Sequence, residues 1–220
     1  MSDPMAFLLW AKGPMFDWAL AIFAIGSAAR IVEISMLGRR PDYAEPKGKE
    51  LGPGLRTILT RTLPDRGTLE RAPFDVVVGI LWHLGFLIVL LLFIPHIELI
   101  DSVLGLAWPG LPNPVVDAVC AVTILALIAV LIHRLIHPVK RHLSRFEDYL
   151  IWTLTFLPLL TGYLAYHRLI APYPLALGLH ILSVEVLLIL LPFTRLTHIF
   201  TAFIARWFTG ATFGRKGVAT

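Results

Sequence analysis

The chain has 220 residues, of which 57% are hydrophobic and only 15% are charged, and its mean hydropathy is +0.76. An average soluble domain is about 45–50% apolar and about 25% charged, so this composition excludes a soluble globular domain and a disordered chain. The net charge of +4 comes from basic residues placed between apolar blocks, which is typical of membrane topology and not of a nucleic-acid-binding surface. The single cysteine, Cys120, excludes an intrachain disulfide and an iron–sulfur cluster held by this chain alone.

Five apolar blocks predict five membrane-spanning helices, because each block is long enough to cross a hydrocarbon layer about 30 Å thick. We therefore predict an all-α integral membrane protein, a bundle of five transmembrane helices that forms one domain over residues 1–220. The predicted spans are residues 16–37, 74–94, 115–136, 149–170 and 175–204. The last block is the longest, and we expect it to project from the bilayer.

The loops between the blocks differ in charge. Residues 38–73 form the most basic loop and contain several prolines and glycines, which break long regular structure, whereas residues 97–113 carry no basic residue. The positive-inside rule then places the N-terminus outside and the C-terminus in the cytoplasm, in the cytoplasmic (inner) cell membrane. The long loop is either a docking surface for a soluble partner or a solvated connection. Its basic residues are Arg39, Arg40, Lys47, Lys49, Arg56, Arg61, Arg66 and Arg71.

Histidines within the spans are candidate functional residues, since an ionisable group is costly in a bilayer. His180 and His198 lie 18 residues apart in the fifth block, which is five whole turns and about 27 Å of a regular helix. Both rings would leave one helix face, near opposite membrane surfaces. A b-type haem between two helices needs one axial histidine from each, so we expect His83 of the second block to face His198. Histidines bonded across helices to Ser or Thr are the alternative.

Other polar residues near the spans have two interpretations each. Arg195 either pairs with a haem propionate or anchors the helix at the membrane interface. Glu185 either exchanges a proton with a quinone or bonds to a neighbouring helix. His133, His137 and His142 are expected to form a basic interfacial cluster, because a single H-x3-H box is too little for a di-iron centre.

Three stretches of the sequence resemble the membrane cytochrome b family of respiratory nitrate reductase gamma subunits. Related membrane subunits accompany heterodisulfide reductase and the dissimilatory sulfite reductase complex. The most specific stretch, residues 180–200, reads HILSVEVLLILLPFTRLTHIF and is similar to the last span of that family. WHLGFL at residues 82–87 looks like the start of the second span, and HPVKRHLSRFEDYLIW, followed by Thr161 and Gly162, looks like the third connection and fourth span. Together these stretches cover roughly residues 74–206.

The resemblance implies five spans, an outside N-terminus and two b haems with bis-histidine ligation. Residue by residue, His83 and His198 match the ligands of the cytoplasm-facing haem, and His180 matches one ligand of the outer haem. The family's second outer ligand lies ten residues after the first histidine, a position that Phe93 occupies here. The sequence departs from the family pattern at this point.

Three possibilities follow for the outer haem. His96 is the first choice for the missing ligand, because Pro95 can distort the helix end and bring the ring into reach. His167, at the outer end of the fourth span, is the second choice. The third is that the outer haem is absent and the protein holds one haem.

The function that the resemblance implies is that of a quinone-reactive cytochrome b subunit in an oxidoreductase complex. Such a subunit exchanges electrons between membrane quinone and a cytoplasmic iron–sulfur or catalytic subunit. The chain has no room for a molybdenum domain of its own, so a partner is expected. A haem-free membrane anchor or small transporter is the competing hypothesis, although the sequence has no internal repeat of the kind that transporters show.

Overall fold

The computed structural model describes residues 3–38, 42–170 and 172–218. Arg39 and Arg40, which we assigned to the basic loop, lie outside the described residues. Within these ranges every regular element is helical, and we number the helices α1–α10. They are α1 (Pro4–Met36), α2 (Leu51–Thr60), α3 (Arg66–Arg71), α4 (Pro73–Leu92), α5 (Ile94–Leu104), α6 (Asn113–Ile136), α7 (Pro138–Leu143), α8 (Phe146–Tyr166), α9 (Tyr173–Leu190) and α10 (His198–Arg215).

Five helical segments of the described chain are long and apolar enough to cross a membrane. They are α1, α4, α6, α8 and the segment Tyr173–Phe193, which contains α9. The prediction of an all-α protein with five candidate spans is confirmed. The first span begins earlier than expected, because the Asp3 side chain accepts a hydrogen bond from Met5 N (3.0 Å) and caps the helix there.

The fifth span is not the continuous helix over residues 175–204 that we predicted. α9 ends at Leu190, two 3₁₀ turns follow at Leu191–Phe193 and Arg195–Thr197, and α10 begins at His198. Pro192 cannot donate a backbone hydrogen bond, and Thr194 is extended (φ −121°, ψ 176°), so the regular helix stops here. The count of five whole turns between His180 and His198 is therefore wrong, and with it the inference that both rings leave one helix face.

A second break separates α4 from α5. Phe93 is extended (φ −81°, ψ 124°) and Pro95 lies in the first turn of α5, so the distortion expected near Pro95 is observed as a new helix. The stretch after α5 folds back onto this junction: the Trp108 Nε1–H donates to Leu91 O (2.6 Å) and the Leu111 N–H donates to Leu92 O (2.9 Å). The end of α4 is thereby held in place.

The described residues divide into two compact units. The first comprises the described residues of 1–19 and 73–187. Its buried centre is formed by Cys120, Leu127 and Leu159, and the Trp152 Nε1–H donates to Leu127 O (2.8 Å) across α8 and α6. Gly85 of α4 is fully packed against α6, since an added Cβ would lie 1.9 Å from Thr123 Oγ1.

We expect Gly85→Ala to destabilise the first unit by about 1–3 kcal/mol, the usual cost of overpacking. Thr123→Ala in the same chain should recover most of that loss, because it removes the hydroxyl that the new methyl group meets. Gly79→Ala is the matched control, since an added Cβ there has no atom within 4 Å. Thermal unfolding in detergent compares the melting temperatures of the unchanged protein, the two Gly85→Ala proteins and the Gly79→Ala control. Equal melting of the Gly85 and Gly79 variants would contradict this packing.

The second unit comprises the described residues of 20–72 and 188–220, and its main feature is an antiparallel pair of helices, α2 and α10. Lys47 N–H donates to Arg215 O (2.8 Å) at one end of the pair, and Arg206 Nη1 donates to Thr62 Oγ1 (3.2 Å) at the other. The basic loop was expected to lack long regular structure, yet it contains α2 and α3. The helices approach closely at Gly54, where an added Cβ would lie 2.8 Å from the Trp207 ring.

Candidate functional site

Two of the predicted haem ligands lie beside each other in the first unit. The ring centres of His96, in α5, and His180, in α9, are 6.2 Å apart, and their planes differ by only 21°. The break at Phe93 precedes His96 by three residues, so His96 lies in the first turn of α5 and not on a continuation of α4. Phe93 itself packs edge-on against His96 at 5.2 Å.

The protonation of His96 follows from its partner. Its Nδ1 lies 2.9 Å from Val89 O, and a carbonyl oxygen only accepts, so Nδ1 carries the proton and Nε2 carries the lone pair. Burial lowers the pKa of the His96 imidazole, which keeps the ring neutral near pH 7. A neutral imidazole whose other nitrogen donates to a backbone carbonyl is the usual form of a metal-bound histidine.

A hydroxyl network fixes His180 in the same tautomer. Thr161 Oγ1 donates its one proton to Leu157 O (2.6 Å), so it acts as the acceptor towards His180 Nδ1 at 3.4 Å. Ser183 Oγ donates to His180 O (2.7 Å) and lies 3.0 Å from Thr161 Oγ1. Nε2 of His180 is thereby left as the nitrogen with the lone pair. The contact with Thr161 is also the feature expected of a histidine bonded across helices.

Gly162 allows the His180 ring to lie against α8. An added Cβ at this position would be 2.9 Å from Cε1 and 3.1 Å from Nδ1 of the ring. Any side chain at residue 162 would therefore displace the imidazole. Thr161 and Gly162 were identified in the sequence only as a motif match, and their role in positioning His180 depends on tertiary packing that the motif does not reveal.

The His96–His180 pair fits a bis-histidine haem. A metal–imidazole bond is about 2 Å long, so two imidazoles on opposite sides of one iron have ring centres roughly 6 Å apart. The observed separation of 6.2 Å and the nearly parallel planes agree with that arrangement. Both rings are half-buried, and each keeps the lone pair on Nε2. The residues present therefore suit the group that the resemblance implies.

His83 and His198, the other two predicted ligands, also direct Nδ1 at a backbone carbonyl oxygen. Each of these bonds lies within one unit. His83 Nδ1 lies 2.6 Å from Gly79 O in α4, and His198 Nδ1 lies 2.9 Å from Arg195 O at the start of α10. Both side chains are exposed. In all four predicted ligands Nδ1 thus lies within hydrogen-bond distance of an oxygen. Their role as ligands remains a prediction.

Two of the remaining histidines are engaged differently. His167 Nε2 bonds to Asp117 Oδ1 at 2.7 Å, so the alternative outer ligand already has a carboxylate on the nitrogen that a haem iron would need. His133 Nδ1 faces Lys140 Nζ (3.2 Å) and Asp75 Oδ1 (3.5 Å) in a mixed-charge cluster. Within the described residues no group of three or more His, Cys, Asp or Glu side chains has metal-binding geometry.

Glu185 has an unusual environment. Its side chain is fully buried in α9, and neither carboxyl oxygen has a hydrogen-bond partner among the described residues. The expected bond to a neighbouring helix is therefore not observed in that part of the chain. Arg195 is exposed, and its backbone carbonyl accepts the bond from His198 described above.

Comparison with known proteins identifies one relative. The chain is 31% identical over 216 residues to a protein of Nitratidesulfovibrio vulgaris (strain Hildenborough), and the alignment covers 94% of each chain. The two proteins belong to one family. The alignment covers nearly all of both chains. No family model matches the chain.

Proposed function

We propose that this protein is a b-type cytochrome, the membrane subunit of a respiratory oxidoreductase complex in the cytoplasmic membrane. It carries two haems and passes electrons between the quinone pool and an iron–sulfur or catalytic subunit on the cytoplasmic side. Support comes from the five apolar spans, from the four histidines on α4, α5, α9 and α10, and from the resemblance to the gamma subunits of respiratory nitrate reductase.

The observation that carries this proposal is the His96–His180 pair. The two rings lie 6.2 Å apart between their centres with nearly parallel planes, a separation at which they could hold one haem between them. This pair compensates for the departure from the family at Phe93, since His96 takes the place of the histidine that the family has there. The inner haem is proposed from the resemblance alone, in which His83 and His198 match the family's ligand positions.

Each group in the protein has a defined task in this proposal. Haem supplies reversible one-electron chemistry when bound. The histidines would hold it through Nε2, and Thr161 and the Val89 carbonyl would fix the ring orientation of the outer pair. Arg195 would pair with a propionate of the inner haem. The N-terminus lies outside in this proposal, so the loop of residues 38–73 faces the cytoplasm, on the same side as the partner subunit.

A reduced-minus-oxidised absorption spectrum of the purified protein tests this proposal. We expect a b-type haem signal that quinol reduces in the absence of any partner subunit. Extraction of the haem and comparison with protein concentration should give two haems per chain. A colourless preparation from cells that make haem proteins normally would contradict the proposal and favour a haem-free anchor or transporter.

A further inference from the structure

Helix α2 exposes a stripe of leucines on the face away from α10. Leu51, Leu55 and Leu59 recur every four residues and are 65%, 53% and 75% exposed, and Leu63 continues the stripe at 70% exposure. The opposite face is buried, with Thr57 only 1% exposed against α10. A contiguous apolar stripe of this kind on a short helix is typical of a segment that lies on a membrane surface.

Two arginines, Arg56 and Arg61, lie beside the leucines. Arg56 and Arg61 line a groove of about 470 Å³ that also contains Leu63. Neither guanidinium takes part in an ion pair within the described ranges of the chain. The groove's one carboxylate, Asp65, accepts hydrogen bonds from Thr68 N (3.0 Å) and Thr68 Oγ1 (2.8 Å). The groove therefore combines an apolar wall with guanidinium groups that are open to an anion.

The chain itself holds this surface near the bilayer. Gly26 of the first span and Pro192 both belong to the second unit and pack against each other. An added Cβ at Gly26 would lie only 2.9 Å from Cβ of Pro192. Gly26 lies ten residues, or about 15 Å, before the end of α1 at Met36. α10 begins five residues after the end of the last candidate span, and the Arg206–Thr62 bond ties the end of α2 to α10. The leucine stripe thus belongs to the same compact unit as the second half of a spanning helix.

We propose that the leucine stripe of α2 inserts into the membrane interface and that Arg56 and Arg61 bind the phosphate of an anionic phospholipid. A bilayer interface supplies acyl chains and phosphates side by side, which matches leucines beside guanidinium groups. This surface does not depend on a bound haem. A result against the membrane contact would therefore leave the proposed cytochrome function unaffected, and the reverse also holds.

Site-directed spin labelling tests the insertion. Leu59→Cys and Gly52→Cys are introduced singly into the full chain with Cys120→Ala and labelled in nanodiscs of phosphatidylcholine and phosphatidylglycerol. We expect the label at residue 59 to collide more often with oxygen than with a water-soluble nickel complex. The label at residue 52, which is exposed and outside the groove, should show the reverse. Water-like behaviour at both positions would overturn the proposal. A label at residue 59 that is shielded from both reagents would also overturn it, since that result indicates a protein partner or a second copy.

Lipid retention tests the headgroup site. We expect native mass spectrometry of the full chain to show phosphatidylglycerol retained over phosphatidylcholine, and Arg56→Gln and Arg61→Gln each to reduce that preference about fivefold. Lys12→Gln, outside the second unit, should leave it unchanged. Added inorganic phosphate should not displace the lipid, because the leucines hold the acyl chains. An unchanged preference in both arginine variants, or full displacement by phosphate, would overturn the lipid site.

Discussion

His180→Ala is expected to lower the haem content of the purified protein from two haems per chain to one. The remaining His96 would offer a single axial nitrogen, and one bond on one face would not replace the ligation proposed for the two histidines, whose ring centres lie 6.2 Å apart. The reduced-minus-oxidised difference signal should fall by about half, and the haem extracted per chain should fall with it.

Variants of the neighbouring histidines make this test specific. His96→Ala should cause the same loss as His180→Ala, whereas His167→Ala should retain two haems, because His167 Nε2 is bonded to Asp117. Thr161→Val should retain the haem but bind it about 10–100-fold more weakly than the unchanged protein. A loss of affinity of this size is typical when the hydrogen-bond partner of a metal-bound histidine is removed. Loss of haem in His167→Ala with full retention in His96→Ala would contradict the assignment of His96.

Gly210→Val is expected to separate α10 from α2. An added Cβ at Gly210 would lie 2.4 Å from Pro53 O and 2.3 Å from Thr57 Oγ1, and a backbone carbonyl within a helix cannot move aside cheaply. Overpacking of this kind costs about 1–3 kcal/mol, and valine adds further atoms at the same contact. The helix pair should therefore open at least about tenfold more often than in the unchanged protein.

Limited proteolysis in detergent measures this opening. Trypsin cleavage after Arg56 and Arg61 should accelerate in Gly210→Val, since those bonds lie in α2 or at its end. Thr209→Val is the matched control, because Thr209 is exposed and precedes Gly210 directly in α10. Equal cleavage rates in the two variants would show that the glycine contact does not hold the pair together.

The spans were predictable because hydropathy is a property of local sequence. A block of twenty apolar residues is long enough to cross a bilayer whatever its neighbours are, and the five candidate spans follow from that alone. Pro95 also carried a local signal, and the chain does break near it, at Phe93. Whether His96 binds haem is a separate question that the break does not decide.

The break in the fifth span was missed, although Pro192 is visible in the sequence. A single proline inside an apolar block is tolerated in many membrane helices, so its presence alone did not predict two 3₁₀ turns. The helix α2 was missed for the opposite reason. Gly52, Pro53 and Gly54 indicate a loop, but Pro53 lies in the first turn of α2 and Gly54 is required by the Trp207 ring.

The partners of the site residues could be predicted least. Asp117 is 50 residues from His167, and Thr161 is 19 residues from His180, and these pairs form only when α6, α8 and α9 pack together. Histidine spacing indicated which residues to consider. Tertiary contacts show which of them carry the lone pair on Nε2.

Near-infrared magnetic circular dichroism of the oxidised, purified protein reports the axial ligands of ferric haem and so tests whether His96 and His180 bind one. We expect bis-imidazole ligation for both haems of the unchanged protein. In His96→Ala the bis-imidazole intensity should fall by about half, with the inner haem unaffected. An unchanged bis-imidazole spectrum in His96→Ala, or the absence of any ferric haem in the unchanged protein, would contradict the claim that His96 and His180 hold a haem between them.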